Sequence, residues 1–257
     1  MNPNRRRWGA IAWLLTLQFF VAESIAQARF EGPYSRVDDV ISALGASDSA
    51  ARQLMNASFV LQGALILAGA VLLRPALLRG AGRGAPVLLG AAAVGSLLVG
   101  VFPTDGNSAM HAVGAVLYFV GGGLGLIALA YAVRPRSEAL GTTLALLGLV
   151  GTAATAFFVT GVTGYLGEGG TERVAAYPLP LGLALAGAVL WRLGGPADTA
   201  DGAERLSRRE ERERARAERE ARARERDAAL EARAQRMQDA DGGGADDPWA
   251  SRGRRQD

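Results

Sequence analysis

This chain contains no cysteine. That removes disulfides, thiol catalysis and thiolate metal sites together. It contains no lysine, so every strong base is an arginine. With abundant alanine and glycine, this fits a GC-rich coding bias better than a chemical demand. Histidine occurs once, at His111. A zinc centre takes three or four protein ligands, so one histidine without cysteine leaves only a carboxylate-dominated site. No metal and no cofactor is expected. A serine hydrolase triad would have to recruit His111 with Ser35, Ser42, Ser58 or Ser108, and no nucleophile-elbow motif surrounds any of these serines. Runs of alternating polarity are missing too, which argues against a transmembrane barrel.

What is present is unevenly distributed. The chain is 49% hydrophobic and 21% charged. Most charges lie beyond residue 195, and the preceding part is strongly apolar. Such a split reads as a membrane domain, residues 1–195, followed by a charged Arg/Glu/Ala-rich tail, residues 196–257. The net charge of +3 averages two unlike regions. It gives no reason to expect nucleic acid as a partner.

A membrane-crossing helix needs about 20 mostly apolar residues. Six stretches qualify: 8–27, 54–76, 85–103, 109–133, 139–163 and 173–193. The loops between them are short apart from 28–53. The fold class expected is all-α and polytopic: a six-helix transmembrane bundle with a polar, cytoplasmic C-terminal helix. Orientation follows from the arginines. Arg5, Arg6, Arg7, Arg74, Arg79, Arg83, Arg134, Arg136 and Arg192 all fall on one side of six crossings. The other side mixes Arg29, Arg36, Arg52 and Arg173 with Glu31, Asp38, Asp39, Asp48, Asp105, Glu168 and Glu172. Both termini are therefore expected in the cytoplasm of a multi-pass cell-membrane protein. The start has a rival reading. Arg5–Arg7, an apolar run and Ala26-Gln27-Ala28 resemble a cleavable signal peptide. The run is nearly long enough to be retained as a span, and retention is favoured.

Segment 28–53 is expected to be an ordered outer cap, because Val37, Val40, Ile41 and Leu44 follow helical spacing. Within the spans, Gly121 and Gly125 have the spacing of close helix packing. They follow no strand, so a phosphate-binding loop is not indicated.

Polar groups inside spans are costly and usually face a partner or a cavity. Here they gather toward the outward ends. Glu23 and Gln27 lie one turn apart, with Gln18 deeper. Asn56 and Gln62 sit in span two, and His111 opens span four. Glu172 and Arg173 open span six. Pro103 and Gly106 mark a turn, after which Ser108 is a plausible N-cap that would place His111 in the first helical turn. The helix dipole there disfavours an imidazolium, whereas Asp105 or Glu23 nearby would favour it. Two readings stay open. Asp105 and His111 tie the turn to the bundle, or they join Glu23 and Asn56 in one outward-facing polar site.

The order of motifs carries a resemblance. Tyr34-Ser35, then Ile41-Ser42-Ala43-Leu44-Gly45, precede Asn56. After them come Gly100-Val101-Phe102-Pro103-Thr104-Asp105 and His111-Ala112-Val113-Gly114-Ala115. This resembles the bacterial and archaeal membrane family catalogued as domain of unknown function 998, over about residues 8–193. Where that family usually has an acid in the Ile-Ser-Asp-x-Gly segment, this chain has Ala43. More distantly, the order is similar to the Frag1/DRAM/Sfk1 membrane proteins, which implies a lipid-linked role.

In the tail, residues 203–237 are rich in helix formers. Glu204–Arg208, Glu210–Arg214, Glu218–Arg222 and Glu220–Arg224 have the favoured i,i+4 order. Leu206 and Leu230 are its only leucines, so no heptad seam exists and a solvated helix is expected. After it, Gly242–Gly244 and the polar end should be disordered. The tail is free for a cytoplasmic contact. Membrane lipids are the expected partners, and the oligomeric state is not legible. The function expected is binding or sensing of lipid or envelope components through the outward polar site. The alternatives are a membrane-embedded hydrolase or transferase using Asp105 and His111, and a small transporter.

Overall fold

Nearly 200 residues of this chain have too few charges to stay in water as separate helices, so they bury apolar stripes against each other. A computed structural model of the protein describes residues 2–77, 83–192 and 196–242. Arg79, the pairing of Glu204, Arg208 and Glu210, and the polar end beyond Gly242 lie outside the described residues and side chains. Every regular element among those described is helical. Contacts divide the chain into two units, Met1–Gly195 and Pro196–Asp257.

The first unit contains eight α-helices: α1 (Pro3–Leu14), α2 (Gln18–Ala28), α3 (Arg52–Leu73), α4 (Ala85–Val101), α5 (Ser108–Val133), α6 (Glu138–Val159), α7 (Gly167–Ala176) and α8 (Pro178–Arg192). A 3₁₀ turn, Leu15–Leu17, joins α1 to α2, and α7 runs into α8 at Tyr177, so the eight helices make six rods. Each rod packs on its sequence neighbours, and α1 meets both α3 and α8, so the rods close into a ring. Thr16 Oγ lies 2.6 Å from Trp13 O and 3.1 Å from Pro180 O, and its hydroxyl ties the 3₁₀ turn to α8. Trp13 Nε1 donates to Ile66 O at 3.3 Å and pins α1 on α3.

Among the described residues, five stretches are long and apolar enough to cross a membrane: Pro3–Ala28, Arg52–Ala76, Ser108–Val133, Glu138–Val159 and Gly167–Arg192. The sixth rod, Ala85–Val101, is apolar but only 17 residues long. At 1.5 Å per residue it measures about 25 Å, against a hydrocarbon core of about 30 Å. Large apolar side chains cover the outside of the ring, among them Val87, Val159, Leu146 and Leu149. A lipid-facing surface has this character. Gly121 packs against α4, where an added Cβ would stand 2.8 Å from Ala92 N and Leu88 O. The small-residue spacing read from the sequence therefore lies in the α4–α5 contact.

Three boundaries differ from the sequence expectation. The first rod starts at Pro3 and not at residue 8, with Pro3 at its first helical position and the Asn2 side chain accepting from Asn4 N. The fifth stretch ends at Val159 and not at residue 163. Gly161, at φ 71°, donates its N–H to Phe158 O, and Val162 donates to Phe157 O, which closes the helix as a Schellman cap. The last rod starts at Gly167 and not at residue 173. Polar Glu168, Thr171, Glu172 and Arg173 hid that first turn and a half from a hydropathy reading. The N-cap of α5 is Asn107, whose side chain accepts from Met110 N at 3.1 Å, and Ser108 is the first helical residue.

Segment 29–51 lies across one end of the ring. Its helical part is a 3₁₀ turn, Ile41–Gly45. Ile41 and Leu44 are buried, while Val37 is 55% exposed and turns out of the apolar stripe. Val37 instead contributes backbone, its carbonyl accepting from Gly170 N at 3.0 Å.

The second unit contains α9 (Pro196–Gly242), a helix of 47 residues and about 70 Å. Its described side chains are almost all exposed, including Leu230 and Met237. Arg216 pairs with Glu220 at 3.2 Å.

Candidate functional site

Glu23, near the end of α2, is 1% exposed, and a buried carboxylate needs a partner. Arg173 of α7 supplies it, with Nε 3.0 Å from Glu23 Oε1. Tyr177 donates to both carboxylate oxygens, at 3.0 and 2.7 Å, and Gln27 Nε2 donates to Oε1 at 3.0 Å. The rest of the Arg173 guanidinium faces the cap. Its NH1 donates to the carbonyls of Arg36, Asp39 and Gly169, and its NH2 donates to the Tyr34 hydroxyl at 2.6 Å. Burial pushes the Tyr34 hydroxyl's pKa up, and the adjacent Arg173 charge opposes the shift. Glu23 and Arg173 thus form a clasp between α2, α7 and the cap.

Asn56 and Asp105 are clasps as well. Asn56, one turn into α3, donates Nδ2–H to Gly45 O at 2.9 Å. Asp105, exposed in the turn between α4 and α5, accepts from Ser47 N at 2.7 Å. Hydrogen bonds from Ser47, its side chain and then its backbone, hold the Asp105 carboxyl below the usual carboxylate range. Glu172 makes a fourth clasp by accepting the Ile41 N–H. On a helix, adjacent residues are turned by about 100°. Arg173 therefore reaches Glu23 and the cap while Glu172 faces the interior.

That interior contains a cavity, with about 40 Å³ open to water centres. Its polar lining comes from Ser42 of the cap, Gln62 of α3, Ser96 of α4, His111 and Tyr118 of α5, and Glu172 of α7; Phe19, Phe59 and Phe119 form apolar walls. Glu23, Asn56 and Asp105 do not line it. Of the four site residues expected from the sequence, His111 alone does. Its Nδ1 lies 2.8 Å from Phe102 O, so this nitrogen carries the hydrogen and donates to the carbonyl. Asp105 and His111 have separate partners on either side of the same turn.

Gln62 is fully buried. Its Oε1 accepts from Gln18 Nε2 at 3.2 Å, and Gln18 Oε1 accepts from the Ser58 hydroxyl. Gln62 Nε2 lies close enough to the Tyr118 hydroxyl to interact with it but makes no well-formed hydrogen bond; among the described residues only Ser49 Oγ is likewise buried without one. Gln62, Tyr118 and Glu172 were missing from the site read in the sequence. Gln62 and Glu172 were visible there as polar residues near span ends. Tyr118 gave no signal, because a tyrosine inside an apolar run is ordinary core.

The chain belongs to the family described as protein of unknown function (DUF998), whose model matches residues 11–192. The match takes in the rods, the cap and the cavity, and stops before α9. No curated protein and no solved structure matches the chain.

Proposed function

We propose that this DUF998 protein is a cell-membrane protein that binds a polar group of a lipid or envelope component in the cavity beneath its cap. The carrying observation is Gln62 Nε2, a fully buried donor without a well-formed hydrogen bond, at a cavity it shares with Glu172, His111 and Tyr118. An unmade buried hydrogen bond costs about 1–3 kcal/mol, and an occupant with an acceptor atom removes that cost. By the usual requirement of about 10–15 Å³ of water-centre space per molecule, the cavity takes about three waters or a small group of similar size. It suits the tip of a headgroup better than a whole lipid.

The orientation proposed has six crossings, both termini in the cytoplasm and the cap outside. The excess of arginine around α1, the α3–α4 connection and the α5–α6 turn, where Glu138 is the one acid, supports it. Reporter fusions after Gly202 and within 104–108 should report opposite sides, and same-side signals refute the orientation.

Binding is tested by native mass spectrometry of the detergent-purified protein. Wild type should retain a small set of co-purifying species that Gln62→Leu and His111→Ala lose. An unchanged set in both variants overturns the proposal. The hydrolase or transferase alternative through Asp105 and His111 has less support, because Asp105 is turned to Ser47 and only His111 reaches the cavity.

A further inference from the structure

Five polar atoms around the cavity fall into two classes. Tyr118 and Ser96 commit their hydroxyl hydrogens to backbone carbonyls, of Ala176 and Phe59, and leave oxygen lone pairs. In the tautomer that donates Nδ1–H to Phe102 O, His111 has its ring lone pair at Nε2. Glu172 has one oxygen on the Ile41 N–H, and the other carries no hydrogen bond. The Ser42 hydroxyl, a sixth polar group of the lining, can donate or accept. The lining is therefore rich in acceptors, with Gln62 Nε2 and the Ser42 hydroxyl as its available donors. Among the described residues the carboxyl also has no cation in ion-pair contact. Glu172 is 7% exposed and forms no ion pair, and the adjacent Arg173 is committed to Glu23, Tyr34 and three carbonyls. A buried carboxylate calls for a positive partner.

We infer that the cavity takes a primary ammonium on a two-carbon arm, the aminoethyl unit of an ethanolamine headgroup or of free 2-aminoethanol. This rests on the cavity-binding reading above and names its ligand class. A primary ammonium carries three N–H donors and no acceptor, the complement of a site built from lone pairs. The phenyl walls of Phe19, Phe59 and Phe119 suit a cation. The oxygen two carbons away accepts from Gln62 Nε2. Room for about three waters admits a unit of about four heavy atoms and rejects the bulk of a trimethylammonium. The capped end is also richer in Asp and Glu than in Arg, which raises the local concentration of cations.

The test uses the full chain in detergent. Phosphatidylethanolamine, phosphatidylcholine and phosphatidylglycerol with identical acyl chains are compared by native mass spectrometry and by thermal unfolding. Millimolar 2-aminoethanol and choline form a separate arm. Wild type should bind phosphatidylethanolamine at least tenfold tighter than the other two lipids if the source is a headgroup. If the source is the free amine, 2-aminoethanol and not choline should raise the unfolding temperature. Glu172→Gln keeps an oxygen for the Ile41 N–H and removes the charge, and should abolish either preference. Absence of an ammonium preference in wild type overturns the inference even if Glu172→Gln fails to fold. An unchanged preference in a folded Glu172→Gln overturns it too. A phosphatidylglycerol preference that Gln62→Leu removes would sink the ammonium assignment and leave cavity binding standing. Lipid binding indifferent to Gln62, His111 and Glu172 would sink both.

Discussion

The two ends of the ring use charge in opposite ways. At the capped end, acids and arginines are buried and paired: Glu23 and Arg173 meet at 3.0 Å with side chains 1% and 6% exposed. At the other end, Arg134 and Glu138 meet at 3.5 Å with side chains 59% and 80% exposed. The first pair joins segments 150 residues apart, the second spans one helical turn. A buried pair binds structure together because breaking it strands a charge. An exposed pair is held by water almost as well as by its partner, and is worth roughly 0–1 kcal/mol. Charge at one end fastens a cap, and at the other it is exposed.

The largest effect that would sharpen this contrast is expected from Arg173→Met. It leaves Glu23 with only the half-exposed Arg36 as a cation and releases two cap carbonyls, and should cost about 3–5 kcal/mol. Arg134→Ala should stay within about 0.5 kcal/mol. Unfolding of the detergent-solubilised protein measures both, and equal losses would erase the distinction between the ends. Gly169→Ala comes next. Its Cβ would stand 2.1 Å from Asp39 O, where the cap backbone rests on α7. The clash should cost about 1–3 kcal/mol and loosen the cap. Protease cleavage within 29–51 should accelerate while the rods stay intact; a cap as resistant as wild type would refute the close approach. The smallest effect is expected at Asp105. Its pKa is lowered by Ser47, so its stabilising contribution is complete above the ordinary carboxylate pKa of about 4 and disappears as pH falls through the lower folded value. Asp105→Asn should flatten the stability profile below about pH 4 and leave neutral pH nearly unchanged. Identical acid profiles would show that the Ser47 contact carries no charge-dependent stability.

Helical class, family and the ordered character of the cap were legible in residue order, because twenty-residue apolar runs and short motifs survive without knowing which helices touch. The site was only partly legible. Glu23, Asn56, Asp105 and His111 all sit toward one end of the ring, but depth along a rod says nothing about which way a side chain turns. Three of them turn toward the cap and one toward the cavity. For Glu23 the outcome depends on Arg173, 150 residues away, and for Asn56 and Asp105 on where the cap backbone lies. Arg173 was visible only as a residue opening span six. Its pairing with Glu23 needs the α7 turn that hydropathy missed.

Ring closure also sets an order of events during synthesis. Glu23 is made 150 residues before Arg173. At about 5–20 residues per second, the ribosome takes roughly 8–30 s to cover that distance. Throughout that interval the first rod carries an acid whose buried partner does not yet exist; Arg36, 3.7 Å from Glu23 in the folded protein and half-exposed, is the cation made soon after it. Until the last rod supplies Arg173, Glu23 therefore depends on water and on the half-exposed Arg36.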